Sequence, residues 1–88
     1  MNKVYDIFLD RYPSIDLHGY DRDSARVAVD DFVLENVMLK NETIVIIHGI
    51  GSGIVKQAVH ECLRYNKNVV SFKTDNLNNG CTIVKLKI

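Results

Sequence analysis

An apolar run ending in His-Gly and followed by a helical pattern occurs twice in this chain. The copies are Ile15-Asp16-Leu17-His18-Gly19 and, thirty residues later, Val45-Ile46-Ile47-His48-Gly49. Two strand–helix units in series call for parallel strands joined by right-handed crossovers. Both His-Gly ends then fall at one edge of one sheet, beyond the carboxyl ends of the strands, where open α/β sheets bind ligands.

The rest of the chain can be read around these two units. Ile15 to His18 is strand one; alternation sets Ile15 and Leu17 on one face and Asp16 and His18 on the other. Asp21 is the expected N-cap of a helix running to about Leu39, with Ala25, Ala28, Val29, Phe32, Val33, Asn36 and Val37 at helical period. Thr43 to Ile47 is strand two, apolar on both faces and therefore interior. A second helix is expected from about Gly53 to Tyr65, with Val55, Ala58, Val59, Cys62 and Leu63 inward. Val69 to Thr74 and Thr82 to Lys87 are strands three and four, separated by the turn-forming run Asp75 to Gly80. The fold class is α/β, an α+β two-layer sandwich in the order βαβαββ. Its mixed four-stranded sheet has the spatial order 1-2-4-3, with both helices on one face. The other face is expected to be open and to carry Asp16, His18, Ser71 or Lys73, Lys85 and Lys87.

The 88 residues make one domain, residues 15–88, preceded by an N-terminal arm, residues 1–14, whose Val4, Tyr5, Ile7, Phe8 and Leu9 are too apolar for a free tail. Eleven basic and eleven acidic residues cancel, which argues against a strongly basic polyanion binder. The balance is uneven along the chain. Residues 1–55 carry five Lys/Arg against nine Asp/Glu, and residues 56–88 carry six against two, so the second part could still meet a polyanion. Cys62 and Cys81 lack the paired spacing of a zinc site or disulfide framework and read as buried thiols. No apolar run approaches the ~20 residues needed to span a membrane, and acidic residues near the N-terminus are unlike a signal peptide. The expected setting is reducing and cytoplasmic, with no membrane partner.

Three constellations carry chemistry. His18 and His48 stand at equivalent strand ends and suit proton transfer near neutral pH; capping of strand-end backbone groups is an equal alternative. Asp16 and His18 share a face at about 7 Å, close enough to address one phosphate but too far for an assured hydrogen bond. Gly49-Ile50-Gly51-Ser52-Gly53 opens a helix, so its backbone N–H groups, with Ser52 and Lys56, can cradle a phosphate. Ile54 stands where the dinucleotide fingerprint needs glycine, so NAD binding is set aside. Lys73 and Lys85 are candidates for a basic patch. Tyr20 is expected to pack against the first helix, and His60, beside Glu61, to lie on the surface.

Ile15-Asp16-Leu17-His18-Gly19 resembles the LDLHG motif of the small MutS-related (Smr) domain family. His48-Gly49-Ile50-Gly51-Ser52-Gly53 resembles its HGxGxG motif, and Gly80-Cys81-Thr82-Ile83-Val84 its closing strand. The resemblance implies a fold similar to the C-terminal domain of translation initiation factor three. It also implies nucleic-acid binding, with several members acting as endonucleases. It places Asp16 and His18 in the catalytic motif and His48, Gly49, Gly51 and Gly53 in the glycine motif. Ile50 departs from the Lys or Arg of many members, which removes a phosphate contact.

The leading expectation is an endonuclease of RNA or DNA. His18 would be the acid–base, Asp16 its partner, and His48 a second proton donor or phosphate contact. Gly49, Gly51, Ser52, Gly53, Lys56, Lys73 and Lys85 would be on the nucleic-acid side. RNA cleavage through the 2′-OH requires no metal or other cofactor. DNA cleavage needs a water nucleophile and would make Asp16 a candidate ligand for a divalent metal. The alternatives are a non-catalytic nucleic-acid-binding module and a protein-interaction module, a homodimer included.

Overall fold

The structure, a computed structural model, describes residues 11–88 and orders them as β1 (Ser14–Asp16), α1 (Arg22–Met38), β2 (Thr43–Ile47), α2 (Ile54–Tyr65), β3 (Val69–Thr74) and β4 (Cys81–Leu86). The apolar stretch from Val4 to Leu9 lies outside the described residues. The sheet order is β1-β2-β4-β3, with β1 parallel to β2 and β4 antiparallel to both its neighbours. Among the described residues no helix is long and apolar enough to cross a membrane.

Periodicity explains why both helices lie on one side. Ala25, Val29, Val33 and Asn36 are buried at spacings of four, four and three along α1. Ala58, Val59 and Leu63 do the same for α2. These stripes meet Leu17, Ile44, Ile46, Val84 and Leu86 from the sheet in one core cluster. Each fully buried Val, Leu or Ile contributes about 1.5–3 kcal/mol relative to exposure. A charge at Val84, which is fully buried in the β4 row facing the helices, would therefore break this layer.

Local signals set the boundaries. Asp21 caps α1 by accepting from the Ser24 N–H at 2.7 Å. Lys40, at φ 62°, turns the chain out of α1, and the Asn41 N–H then donates to the Asn36 carbonyl at 2.9 Å. Asn36 is buried yet satisfied: it donates to the Phe32 carbonyl and accepts from the Asn41 side chain.

One expectation changes: strand one is shorter and earlier than predicted, so His18 lies beyond β1 in a turn. The sheet side away from the helices is mixed, in keeping with a β2 that is apolar on both faces. It carries exposed Ser71, Lys73, Lys85 and Lys87, but Val45 and Cys81 are buried at its centre with Ile47 and Ile83 beside them.

Candidate functional site

The carboxyl ends of β1 and β2 meet three turns. The Leu17 N–H makes the last bond between the strands, to the Ile47 carbonyl at 2.6 Å. The chain then reverses through His18 and Gly19, closed by a Tyr20 N–H to Leu17 carbonyl bond at 3.0 Å. Gly19 has φ +81°, as the third residue of a type II turn requires.

This turn brings Asp16 and His18 into direct contact, closer than an extended strand allows. Asp16 Oδ1 accepts from both the His18 backbone N–H, at 3.1 Å, and His18 Nδ1, at 2.6 Å. The hydrogen bond from His18 holds the Asp16 carboxyl below its usual range, so it is ionised and only accepts. Nδ1 must then carry the proton, which leaves Nε2 of neutral His18 with a free lone pair. The pair is open to solvent, with side-chain exposures of 72% for His18 and 52% for Asp16.

His48 is placed differently. It continues the Ile44–Ile46 row on the helix side of β2 and is only 4% exposed. Its Nδ1 lies 3.1 Å from the Gly49 carbonyl, and its Nε2 lies 2.8 Å from Thr82 Oγ1. The same hydroxyl lies 2.7 Å from His60 Nε2. A carbonyl can only accept, so His48 carries its proton on Nδ1. His48 Nε2 then accepts from the Thr82 hydroxyl, and that hydroxyl accepts from His60 Nε2–H. Desolvation pushes the pKa values of both histidines below the ordinary 6.5, which favours this neutral chain. His60 also meets His48 edge-on at 5.8 Å and Phe72 at 5.1 Å. Both expectations for these histidines change: His60 is half-buried rather than on the surface, and His48 has no free nitrogen for a substrate. The legible signal was Thr82, which alternation sets beside Val84 and Leu86 facing the helices; a hydroxyl there needs partners.

Glycines let the turns close on one another. Gly49 has φ +84°, and a Cβ built on it would stand 3.1 Å from His18 Cβ. The Gly80 carbonyl accepts from the N–H groups of both His48 and Gly49, at 2.8 and 3.0 Å. Gly80, from the β3–β4 turn, thus braces the glycine loop against the His18 turn.

The result is a cleft of about 600 Å³, lined by His18, Tyr20, Arg22, His48, residues 49–53 and Lys56. Tyr20 is exposed on this cleft rather than packed away. Gly53, at φ +86°, caps α2 without a side-chain bond, and the Ile54 N–H reaches Ser52 Oγ at 3.4 Å. The N–H groups of residues 51–53, 55 and 56 find no acceptor among the described residues. Unclaimed donors at a helix N-terminus beside Lys56 suit an anion. Lys73 and Lys85 are not among the residues lining this cleft. Lys85 pairs with Thr43 at the far end of β2, roughly 17 Å of strand from His48. Among the described residues no group of three or more His, Cys, Asp or Glu could hold a metal ion.

Comparison with known proteins bears on the family and the fold. Residues 15–87 match the Smr domain. Endonuclease MutS2 of Staphylococcus carnosus is 40% identical over 77 residues, which are 83% of this chain and 10% of that protein. Endonuclease MutS2 of Clostridium novyi is 32% identical over 77 residues, 84% of this chain and 10% of that protein. The chain thus spans about a tenth of the length of these curated relatives. The crystal structure of the Smr domain of Thermus thermophilus MutS2 superposes with a TM-score of 0.84 at 33% identity, covering 86% of this chain and 99% of that one. YdaL, a stand-alone small MutS-related protein from Escherichia coli, shares the fold, with a TM-score of 0.81 at 24% identity over 88% of this chain and 68% of its own. With both His-Gly turns and the closing β4 strand inside the matched span, the chain belongs to the Smr domain family.

Proposed function

We propose that this domain is a phosphodiester-cleaving endonuclease acting on RNA, with His18 as general base. The observation that carries the proposal is the 2.6 Å Asp16–His18 contact, which engages Nδ1 and leaves Nε2 free on a residue that lines the cleft of the glycine turn. The nucleic-acid relation of the MutS2 endonucleases, similar over this domain alone, supports the substrate class.

A backbone phosphate would sit on the unclaimed N–H groups of residues 51–53, 55 and 56, with Lys56 supplying charge. His18 Nε2 takes the proton from a ribose 2′-OH, and the 2′-oxygen attacks the adjacent phosphorus. The bond to the 5′-oxygen breaks, leaving a 2′,3′-cyclic phosphate, and that oxygen takes a proton from water in the open cleft. Asp16 stabilises the imidazolium that His18 becomes, and it holds the ring in the reactive tautomer. His48 acts as a positioning residue: it ties the glycine loop to β4 through Thr82. DNA cleavage would instead need an attacking water and a divalent ion, with Asp16 a ligand; no step here depends on it. The two buried or half-buried thiols fit a reducing, cytoplasmic setting.

The test is a cleavage assay on end-labelled single-stranded RNA, duplex RNA and supercoiled DNA, with and without chelator, beside Asp16→Asn and His18→Ala. The expected result is chelator-resistant RNA cleavage abolished in His18→Ala and strongly reduced in Asp16→Asn. RNA binding without cleavage would make the domain a recognition module. Absence of both would leave a protein-interaction role.

A further inference from the structure

The function proposed above accounts for one phosphate. It leaves unexplained the excess of positive charge that begins at Lys56. A second groove of about 350 Å³ adjoins the first and shares Gly53 and Lys56 with it; its other lining residues are Gln57, His60, Glu61 and Arg64. Lys56, His60 and Arg64 are spaced four apart, so they form one stripe leading away from the glycine turn along α2. Glu61, the acidic residue in this groove, is engaged elsewhere: Arg26 of α1 bonds its carboxylate at 2.5 Å. Among the described residues Lys56 and Arg64 make no ion pair, which leaves the groove with uncompensated positive charge.

We infer that the Lys56–His60–Arg64 stripe is a second nucleic-acid contact, which carries the strand beyond the glycine turn and binds the phosphates next to the one being cleaved. This rests on the proposed nuclease reading and extends it. Lys56 to Arg64 spans about 12 Å of helix, and at about 3.4 Å per nucleotide of a stacked strand that distance covers three to four nucleotides. The occupant is a polyanionic strand rather than a lone anion, because the groove is long, open and joined to the first cleft by a shared lysine. His60 lies at the middle of the stripe and is bonded through Thr82 to His48, so the groove floor is tied to the glycine loop.

The test measures binding of a fluorescent dodecamer and a dinucleotide, each as RNA and as DNA, across a salt series for wild type, Arg64→Ala and Lys73→Ala. Arg64 is an exposed helix residue and Lys73 lies on the other side of the sheet, so both variants are expected to fold. The expected result is that Arg64→Ala lowers the salt slope for the dodecamer by about 0.7, the value for one lost phosphate contact on a single strand. Dinucleotide binding and cleavage should stay at wild-type level, as should the slope for Lys73→Ala. The RNA and DNA arms identify which strand the groove accepts. An unchanged slope in Arg64→Ala, with wild type binding the dodecamer, overturns the stripe and leaves the nuclease reading standing. Equal loss in Lys73→Ala overturns it too, since charge alone would then account for binding. A wild type that binds no dodecamer overturns both.

Discussion

Replacing Thr82 by valine removes one oxygen and keeps the side-chain shape. That oxygen serves two histidines, at 2.8 Å to His48 Nε2 and 2.7 Å to His60 Nε2, in a residue with no exposed surface. In Thr82→Val the His48 nitrogen stays buried without a partner, at a cost of about 1–3 kcal/mol. His60 is half-buried and regains water more easily, so its loss is about 1 kcal/mol. The sum is about 2–4 kcal/mol, which for a domain of this size lowers Tm by on the order of 10–25 °C. Thr82→Ser is the matched control: it keeps the hydroxyl and loses one methyl, at about 1 kcal/mol. Urea unfolding of the three proteins near neutral pH reads both numbers. The required order is wild type, then Thr82→Ser, then Thr82→Val. A Thr82→Val protein as stable as Thr82→Ser, or more so, would show that methyl packing rather than the hydroxyl matters, and the histidine chain would fall with it.

Three further outcomes are expected. Gly49→Ala must adopt φ +84° and push a Cβ to 3.1 Å from His18 Cβ. It should lose about 1–2 kcal/mol of stability, and by displacing His18 it should slow RNA cleavage about 10- to 100-fold in single-turnover assays. Stability should fall on mild acidification. The folded pKa values of His48 and His60 lie below the 6.5 of the unfolded chain, so the unfolded state binds more protons; the contribution is complete above that pH and is lost as pH falls toward the folded values. Urea midpoints measured from about pH 8 down to about pH 5 should show this slope, and His60→Gln should flatten it. Burial and the Asp30 carboxylate, 3.1 Å from its sulfur, raise the Cys62 thiol to about 12, so alkylation of Cys62 under native conditions should be slow and should accelerate in urea.

Much of this domain is legible residue by residue. The alternation of β4 separates Val84 and Leu86 from Ile83 and Lys85, and the stripes of α1 and α2 mark their buried faces, because side-chain direction follows backbone period. Right-handed crossovers and the apolar character of β2 lead to the order β1-β2-β4-β3 from the sequence alone. Gly49, Gly51 and Gly53 announce a turn into a helix N-terminus, and the two His-Gly motifs mark the edge that matters.

The parts that escaped are those that depend on where the chain leaves regular structure and on what packs from far away. A strand period puts Asp16 and His18 apart; the chain instead leaves β1 after Asp16 and enters the turn closed between Leu17 and Tyr20, and the two side chains meet. Equivalence of sequence suggests that His18 and His48 do the same work. The tertiary structure divides them, leaving His18 in solvent and enclosing His48 between β2, β4 and α2. Period and motif are local and can be read along the chain. The bond from Thr82 to His48 joins residues thirty-four apart and that to His60 residues twenty-two apart, and only closure of the sheet under α2 brings them together.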